Sequence, residues 1–341
     1  MKRRATIPRR AVARVVVAAL LAIVAARSGN GQTVDRVQLQ LKWVTQAQFA
    51  GYYAARANGL YAAESLDVTI RPGGPDLAPE RAVIRGTAQF GINWLPMLLS
   101  ARDQGFPLVN IAQVFAASGM RQIAFKTSGI KTAADLRGRR VAVWLNGNEF
   151  PLFATLDKHG INRLRDVMLI EQPFDMNLLL QKKVDAAAAM TYNEYKQVLD
   201  GGVKPEDLVV IDFNEEGTAM LEDGIFTSAT WLADPHNKDI AVRFVRASLR
   251  GWEFCRDNPA ACVEIVLKES PRLGREHQTW MMTEVNKLIW GPPAPVAPLG
   301  KMDAQAFKRT AEIALKFGVI KKPAEAAANT GEIWERARPM P

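Results

Sequence analysis

The chain reads as an α/β protein of two lobes, and three observations predict this. Short apolar segments of strand character alternate with helical segments over most of its length, the alternation restarts after Ser118-Gly119, and the chain is helical from Asn237 onward. About 310 residues follow the leader described below, enough for two cores, since single cores stop growing near about 250 to 300 residues.

The first unit is the clearest. Val37, Leu39 and Leu41 alternate with Gln38, Gln40 and Lys42, the period of a strand, and the run then becomes helical and rich in small and aromatic residues. Asn58-Gly59 supplies a helix stop, and residues 66–70 read as the next strand of a parallel βαβ unit. The strand thus delivers Lys42-Trp43-Val44-Thr45-Gln46 to the start of a helix, and ligands of α/β sheets bind beyond the carboxyl ends of strands.

The pattern then predicts a helix over 76–86, a strand over 88–92, a helix over 95–104 and a strand over 108–115. After the restart, strands are expected at 122–126, 140–144, 167–170, 186–190, 208–211 and 224–228. Helices are expected at 132–136, 150–159, 177–182 and 193–199. The helical remainder is interrupted by the proline-rich stretch 291–300, and no internal repeat is apparent. The chain should cross between lobes near Ser118 and again near 217–224, and two crossings make a hinge. Lobe one is expected to hold 33–117 plus 222–341, and lobe two 118–221.

Residues 1–31 read as a secretory signal peptide. Lys2, Arg3, Arg4, Arg9, Arg10 and Arg14 precede an apolar run from Val15 to Ala26 that ends in small residues and is short for a membrane span. A retained anchor is the alternative, and Arg9-Arg10 leaves the twin-arginine route open beside the general one. The whole chain carries +9, but this leader holds seven Lys or Arg and no acid, so only +2 belongs to the rest. The basic balance is a property of the export segment and supports neither nucleic acid nor a membrane surface as a partner. No cysteine stands near the cleavage region to take a lipid, so a soluble periplasmic protein is expected, with no membrane insertion after cleavage.

Cys255 and Cys262 would lie about 10 Å apart on a continuous helix of ~1.5 Å rise per residue, too far to bridge. Asp257-Asn258-Pro259 breaks such a helix, so a disulfide and a pair of buried thiols both stay open. His159, His236 and His277 are scattered without ligand spacing, so no metal site is expected. No G-x-x-x-x-G-K-[ST] loop is present, and no cofactor is expected.

The run LKWVTQAQFAGYYAARANGLYAAESLDVTI, the G-x-A-x-F-G-I turn at 86–92, the strand GRRVAVW at 138–144 and VDAAAAMTYNEY at 184–195 carry a family resemblance. Together they are similar to the substrate-binding proteins of ABC importers, in the branch that holds thiamine-pyrimidine-precursor binders and, close by, riboflavin-binding components. The resemblance extends over about residues 37–288 and implies the type II periplasmic binding protein fold, two α/β lobes that close around a small molecule. It implies as partners a small heteroaromatic ligand and a permease with ATPase subunits, and a monomer.

Loops after strands name the residues expected to line the cleft. These are Trp43, Gln46 and Gln48, then Asn93 and Trp94, then Ser118 at the crossing, with Asn146, Asn148 and Glu149 and then Tyr192 and Glu194 in lobe two, and Glu222 at the return crossing. Trp43, Trp94, Trp144 and Tyr192 offer flat faces to a planar ring, and Asn, Gln and Glu tips match its donor and acceptor edge. No Arg is among them, and buried carboxylates disfavour anions, although helix N-termini bind anions without Arg. Trp144 is as well suited to the core as to contact; Tyr53 and Tyr195 are expected to pack; Asn148 and Thr191 are also ordinary helix caps.

The same resemblance reaches the yeast-type thiamine pyrimidine synthase, an enzyme on this fold whose chemistry needs a Lys forming a Schiff base with pyridoxal phosphate, a His and a Cys-rich iron-binding run. In register those positions fall at Asn93 and Met97, and the Cys-rich run has no counterpart, so no catalytic residue is expected. A ligand sensor feeding a membrane receptor, which uses the same fold, stays open as a third class.

Overall fold

Two five-stranded mixed sheets organise the chain in the computed structural model, which describes residues 33–145, 147–291 and 297–338. The expected signal peptide and Asn146 lie outside the described residues, as does half of the proline-rich stretch, 292–296. Among the described residues no helix is long and apolar enough to cross a membrane.

Sheet one runs in the order β2-β1-β3-β10-β4, where β1 is Asp35–Gln40, β2 Leu66–Arg71, β3 Phe90–Asn93, β4 Leu108–Gln113 and β10 Gly224–Ser228. β1 pairs in parallel with β3, setting Leu39 opposite Phe90, while β10 runs antiparallel between β3 and β4. Alternation explains β2, whose Leu66, Val68 and Ile70 are buried while Asp67, Thr69 and Arg71 face out, as suits an edge strand with one wet face. β4 is buried along its whole length. Sheet two runs β7-β6-β8-β5-β9, with β5 at Met120–Phe125, β6 at Arg140–Val143, β7 at Met168–Glu171, β8 at Ala186–Met190 and β9 at Leu208–Asp212. Here β5 is the antiparallel member, between β8 and β9, and β6 lies parallel to both β7 and β8. The fully buried AAAAM of β8 suits a central strand covered on both faces.

Each sheet therefore has an antiparallel strand next to a crossing: β5 opens sheet two, and β10 returns the chain to sheet one. The chain leaves after Gln113 and comes back after Asp212, which brings residues 114–119 and 213–223 side by side between the sheets.

Most expected elements are present within a residue or two. The helix expected over 76–86 is shorter, at Pro79–Ile84, because the preceding residues form a turn closed by Leu77 N–H donating to the Gly74 carbonyl. The first helix, α1 (Ala50–Ala57), stops at Asn58 as expected. Gly59, at φ +69°, then turns the chain into one further helical turn at Leu60–Ala63. Helix α2 (Pro235–Asp257) is capped by Asp234, whose carboxylate accepts from the His236 and Asn237 N–H groups. The break at Asn258 separates α2 from α3 (Pro259–Glu269) and brings the Cα atoms of Cys255 and Cys262 to 5.5 Å, where the two are disulfide-bonded. The Asp-Asn-Pro sequence thus resolves the open choice in favour of the bond.

Helix α2 packs on α1 through two glycines. A Cβ on Gly251 would lie 2.1 Å from the Gly51 carbonyl oxygen, and one on Gly51 would lie 2.2 Å from the Trp252 ring, itself fully buried. Because the first obstacle is backbone, the helices can make room only by separating. Gly251→Ala is accordingly expected to cost about 1–3 kcal/mol or more by overpacking. Denaturant unfolding checks this, and an unchanged midpoint would show that the helices part freely.

Candidate functional site

Residues that follow β1 and β3 in sheet one, and β6, β7 and β8 in sheet two, line one cleft between the sheets. Its inner slot has a volume of about 80 Å³ and continues into a wider outer part of about 450 Å³. Lys42, Trp43, Trp144, Asn148 and Phe174 line both parts.

The walls of the slot are aromatic. Trp43, just past β1, meets Phe174, just past β7, with ring centroids 5.0 Å apart and planes tilted by 56°, so the contact spans the two sheets. Trp94, Trp144 and Tyr192 complete the lining. Trp144 is held by its indole N–H donating to the Pro173 carbonyl at 3.0 Å, so it serves both core and cleft. Tyr53 and Tyr195 pack elsewhere: Tyr53 shares a 2.8 Å hydrogen bond with Thr45, and Tyr195 stacks on Trp280.

Polar groups enter from both sides. Gln46 donates to Gln48 at 2.7 Å, and Gln48 donates to Asp223 at 2.7 Å, forming a relay from slot to hinge. From sheet two, the Glu194 carboxylate accepts from the Met190 N–H at 3.0 Å and from the Asn193 amide at 2.6 Å. Burial nonetheless pushes its pKa up to about 7. Asn193 is steadied by His277 at 2.7 Å.

The remaining expected residues lie outside the slot. Asn93 lines the outer part, donating to Glu80 at 2.8 Å and accepting from the Trp94 N–H at 2.8 Å. Ser118 and Glu222 are buried at the crossings and bond to each other, away from the cleft lining. Glu149 accepts from the Gly147 N–H at 2.8 Å, closing the local turn, and also lies outside the lining. Lys42, expected in the tip that follows the first strand, lines the cleft, and so does Phe174, which the sequence reading does not name. Phe174 stands in the loop after β7, a position that the loop-after-strand rule covers.

The charges behind the slot are unusual. Glu222 accepts from Ser118 Oγ, from the Gly119 N–H at 3.1 Å and from the Met120 N–H at 3.4 Å, yet burial, with the Asp223 charge beside it, lifts it to about 7. Asp223, held at φ +42°, is raised to about 6 by burial against the pull of Gln48 and Lys42. Burial raises Glu80 also, and it lowers Lys42 against the attraction of Asp223, Glu80 and Glu222. No group of three or more His, Cys, Asp or Glu arranged to hold a metal occurs among the described residues.

Carboxylates with raised pKa values make the fold pH-sensitive. In the unfolded chain Glu titrates near ~4.3 and Asp near ~3.9. The native protein therefore holds extra protons at Glu222 and Glu194 up to about 7 and at Asp223 up to about 6. This stabilisation is complete below the unfolded values and is lost as pH rises through the folded ones. The melting temperature of the ligand-free protein is expected to fall between about pH 5 and about pH 8. Glu222→Gln should make that slope shallower; an identical slope in the variant would place the titration elsewhere.

Residues 46–262 match the model of the family described as NMT1/THI5 like. A riboflavin-binding protein, RibY, of Chloroflexus aurantiacus is 27% identical, covering 88% of this chain and 86% of that one. A 4-amino-5-hydroxymethyl-2-methylpyrimidine phosphate synthase of Legionella pneumophila is 31% identical, over 70% of this chain and 75% of the other. Among solved structures, one titled as a putative sulfonate ABC transporter periplasmic sulfonate-binding protein, SsuA, of Methylobacillus flagellatus superposes with a TM-score of 0.68 at 15% identity, covering 89% and 94% of the two chains. The fold is that of type II periplasmic binding proteins, and, since the matched family model spans well over half of its length, the chain belongs to the NMT1/THI5 like family.

Proposed function

We propose that this protein is the capturing component of an ABC importer, acting in the periplasm as a monomer on a small planar heteroaromatic ligand, either a pyrimidine precursor of thiamine or a flavin. The observation that carries the reading is the slot itself: rings of Trp43, Trp94, Trp144, Phe174 and Tyr192 around a narrow space, with Gln46, Gln48, Asn148 and Glu194 at its edges. A flat ring between such faces gains about 0.5–1.5 kcal/mol per aromatic contact beyond burial, and the amide and carboxyl tips pair with its edge. The outer part, where Asn93, Glu80 and Arg81 stand, takes the substituents of the ring. Ligand contacts reach both lobes, 33–117 plus 222–341 and 118–221, and so bias the two crossings toward the closed form by differential affinity. The names of the relatives, one a riboflavin binder and one a pyrimidine phosphate synthase, agree with this ligand class.

The synthase relative favours a second reading, an enzyme. The residues do not fit its cofactor: the position in register with the Schiff-base Lys is Asn93, an amide already held by Glu80 and by the Trp94 N–H, and the position of the His is Met97, whose sulfur lies against Gly147. Release of a pyrimidine product on incubation with pyridoxal phosphate and iron would establish the enzyme instead.

Calorimetric and thermal-shift titration with formylaminopyrimidine, hydroxymethylpyrimidine, thiamine, riboflavin, nitrate and taurine tests the binding reading. A pyrimidine or riboflavin is expected to bind and to raise the melting temperature. Trp43→Ala should weaken that binding by about tenfold, as loss of one stacked face and its burial implies; unchanged affinity would remove Trp43 from the site.

A further inference from the structure

The inner slot is lined by one basic side chain, Lys42, and its ammonium has no partner of its own. Among the described residues no hydrogen bond and no ion pair reaches Nζ; it stands 4.7 Å from the centre of the Trp94 ring. Three carboxylates are close enough to attract it, on three different segments: Asp223 and Glu222 at the return crossing and Glu80 on the short helix Pro79–Ile84. Each is engaged elsewhere through one or both oxygens, Asp223 Oδ2 by Gln48, Glu222 by Ser118 and the Gly119 N–H, and Glu80 by Asn93, and even Asp223 Oδ1, buried without a partner, is not met by the Lys42 ammonium. Lys42 is therefore not spent as a structural counter-ion, because a side chain kept only for that purpose would close the contact. An ammonium has three N–H donors; half-buried Lys42 can meet water through the cleft, and a ligand that displaces that water has to accept those bonds in its place or leave them unmade at a cost in free energy. Lys42 lines both parts of the cleft, so whatever satisfies those donors sits in it. At the far side of the slot Glu194 supplies the opposite polarity.

We infer that Lys42 donates hydrogen bonds to an acceptor atom of the ligand, and thereby makes the cleft select rings that present a carbonyl or an anionic edge while rejecting cationic ones. This rests on the binding reading above and adds to it the side of the ligand that faces sheet one. Trp94 fits the same selection: with a cation already over its face, a second cation there would meet like charge.

The test is calorimetric titration of the wild-type protein, Lys42→Met and Lys42→Arg with riboflavin, whose ring carries carbonyl acceptors, with thiamine, whose thiazolium is a cation, and with an alkanesulfonate. The melting temperature of each ligand-free variant is recorded alongside. Wild-type protein is expected to prefer riboflavin to thiamine. Lys42→Met should shrink that preference by about tenfold, and Lys42→Arg should keep most of it. A purely structural Lys42 would lower both affinities together; an unchanged ratio in Lys42→Met overturns the inference, whatever the melting temperature does. If Lys42→Met fails to fold, Lys42→Leu, which also lacks a donor, reads the same ratio. Binding of the sulfonate and of no ring, the formylaminopyrimidine and hydroxymethylpyrimidine titrated above included, would end the heteroaromatic reading, and the Lys42 assignment would then survive only if Lys42→Met weakens the sulfonate by about tenfold. Binding of none of the three, with formylaminopyrimidine and hydroxymethylpyrimidine silent as well, overturns both.

Discussion

A buried carboxylate ties the two connections between the sheets together. Glu222 closes the return connection, and its side chain gathers Ser118 and the Gly119 N–H of the outgoing one, while its own carbonyl accepts from Gln113 at the end of β4. Arg121 reinforces the junction by donating to the Ser118 and Met120 carbonyls and pairing with Asp212 at 2.9 Å. A carboxylate so far from water is costly, and its hydrogen bonds offset that cost only while both connections stay in place. The setting of Asp223, and through it of Gln48 and Gln46, depends on this junction, so the polar edge of the slot is an extension of the hinge.

The cleft is chemically lopsided. Sheet one contributes a cation, two glutamines and two tryptophans; sheet two contributes a carboxyl group whose proton is held into the neutral range, two asparagines and more rings. A ligand that satisfies both sides has to be flat in the middle and polar at opposite edges. Such a requirement is specific about shape and hydrogen bonding and tolerant about what is attached to the ring, which fits one fold serving ligands of different size.

Much of this was legible in the chain. Alternation at Val37, Leu39 and Leu41 and at Leu66, Val68 and Ile70 places strands correctly, because the edge strand β2 and its neighbour β1 each bury one face more than the other and so write the pattern into the residues. The loop-after-strand rule named Trp43, Gln46, Gln48, Trp94, Asn148, Tyr192 and Glu194, all of which line the inner slot. What stayed hidden is non-local. That β10 inserts antiparallel between β3 and β4 depends on pairing across more than a hundred residues, and local pattern carries no trace of it. Ser118 and Glu222 were found as neighbours of the hinge, but their bond to each other is a tertiary fact. The position of Lys42 in the tip after the first strand is legible, but the three carboxylates that surround it come from distant segments and are not. The turn before Pro79 shortened a helix that composition alone extended, since Gly74-Pro75 acts on the backbone and leaves apolar periodicity untouched.

The Trp43–Phe174 contact has an optical consequence. The two rings belong to different sheets, so any change in the separation of the sheets alters how much water reaches one particular indole. The emission of Trp43 thus reports the gap between the sheets without a label. The chain has 8 tryptophans, so that signal would be read as a difference between the protein and a variant lacking Trp43. In kinetic terms the same pair of rings stands across the slot, and the rate at which they part sets an upper limit on how fast a bound molecule can leave by that route.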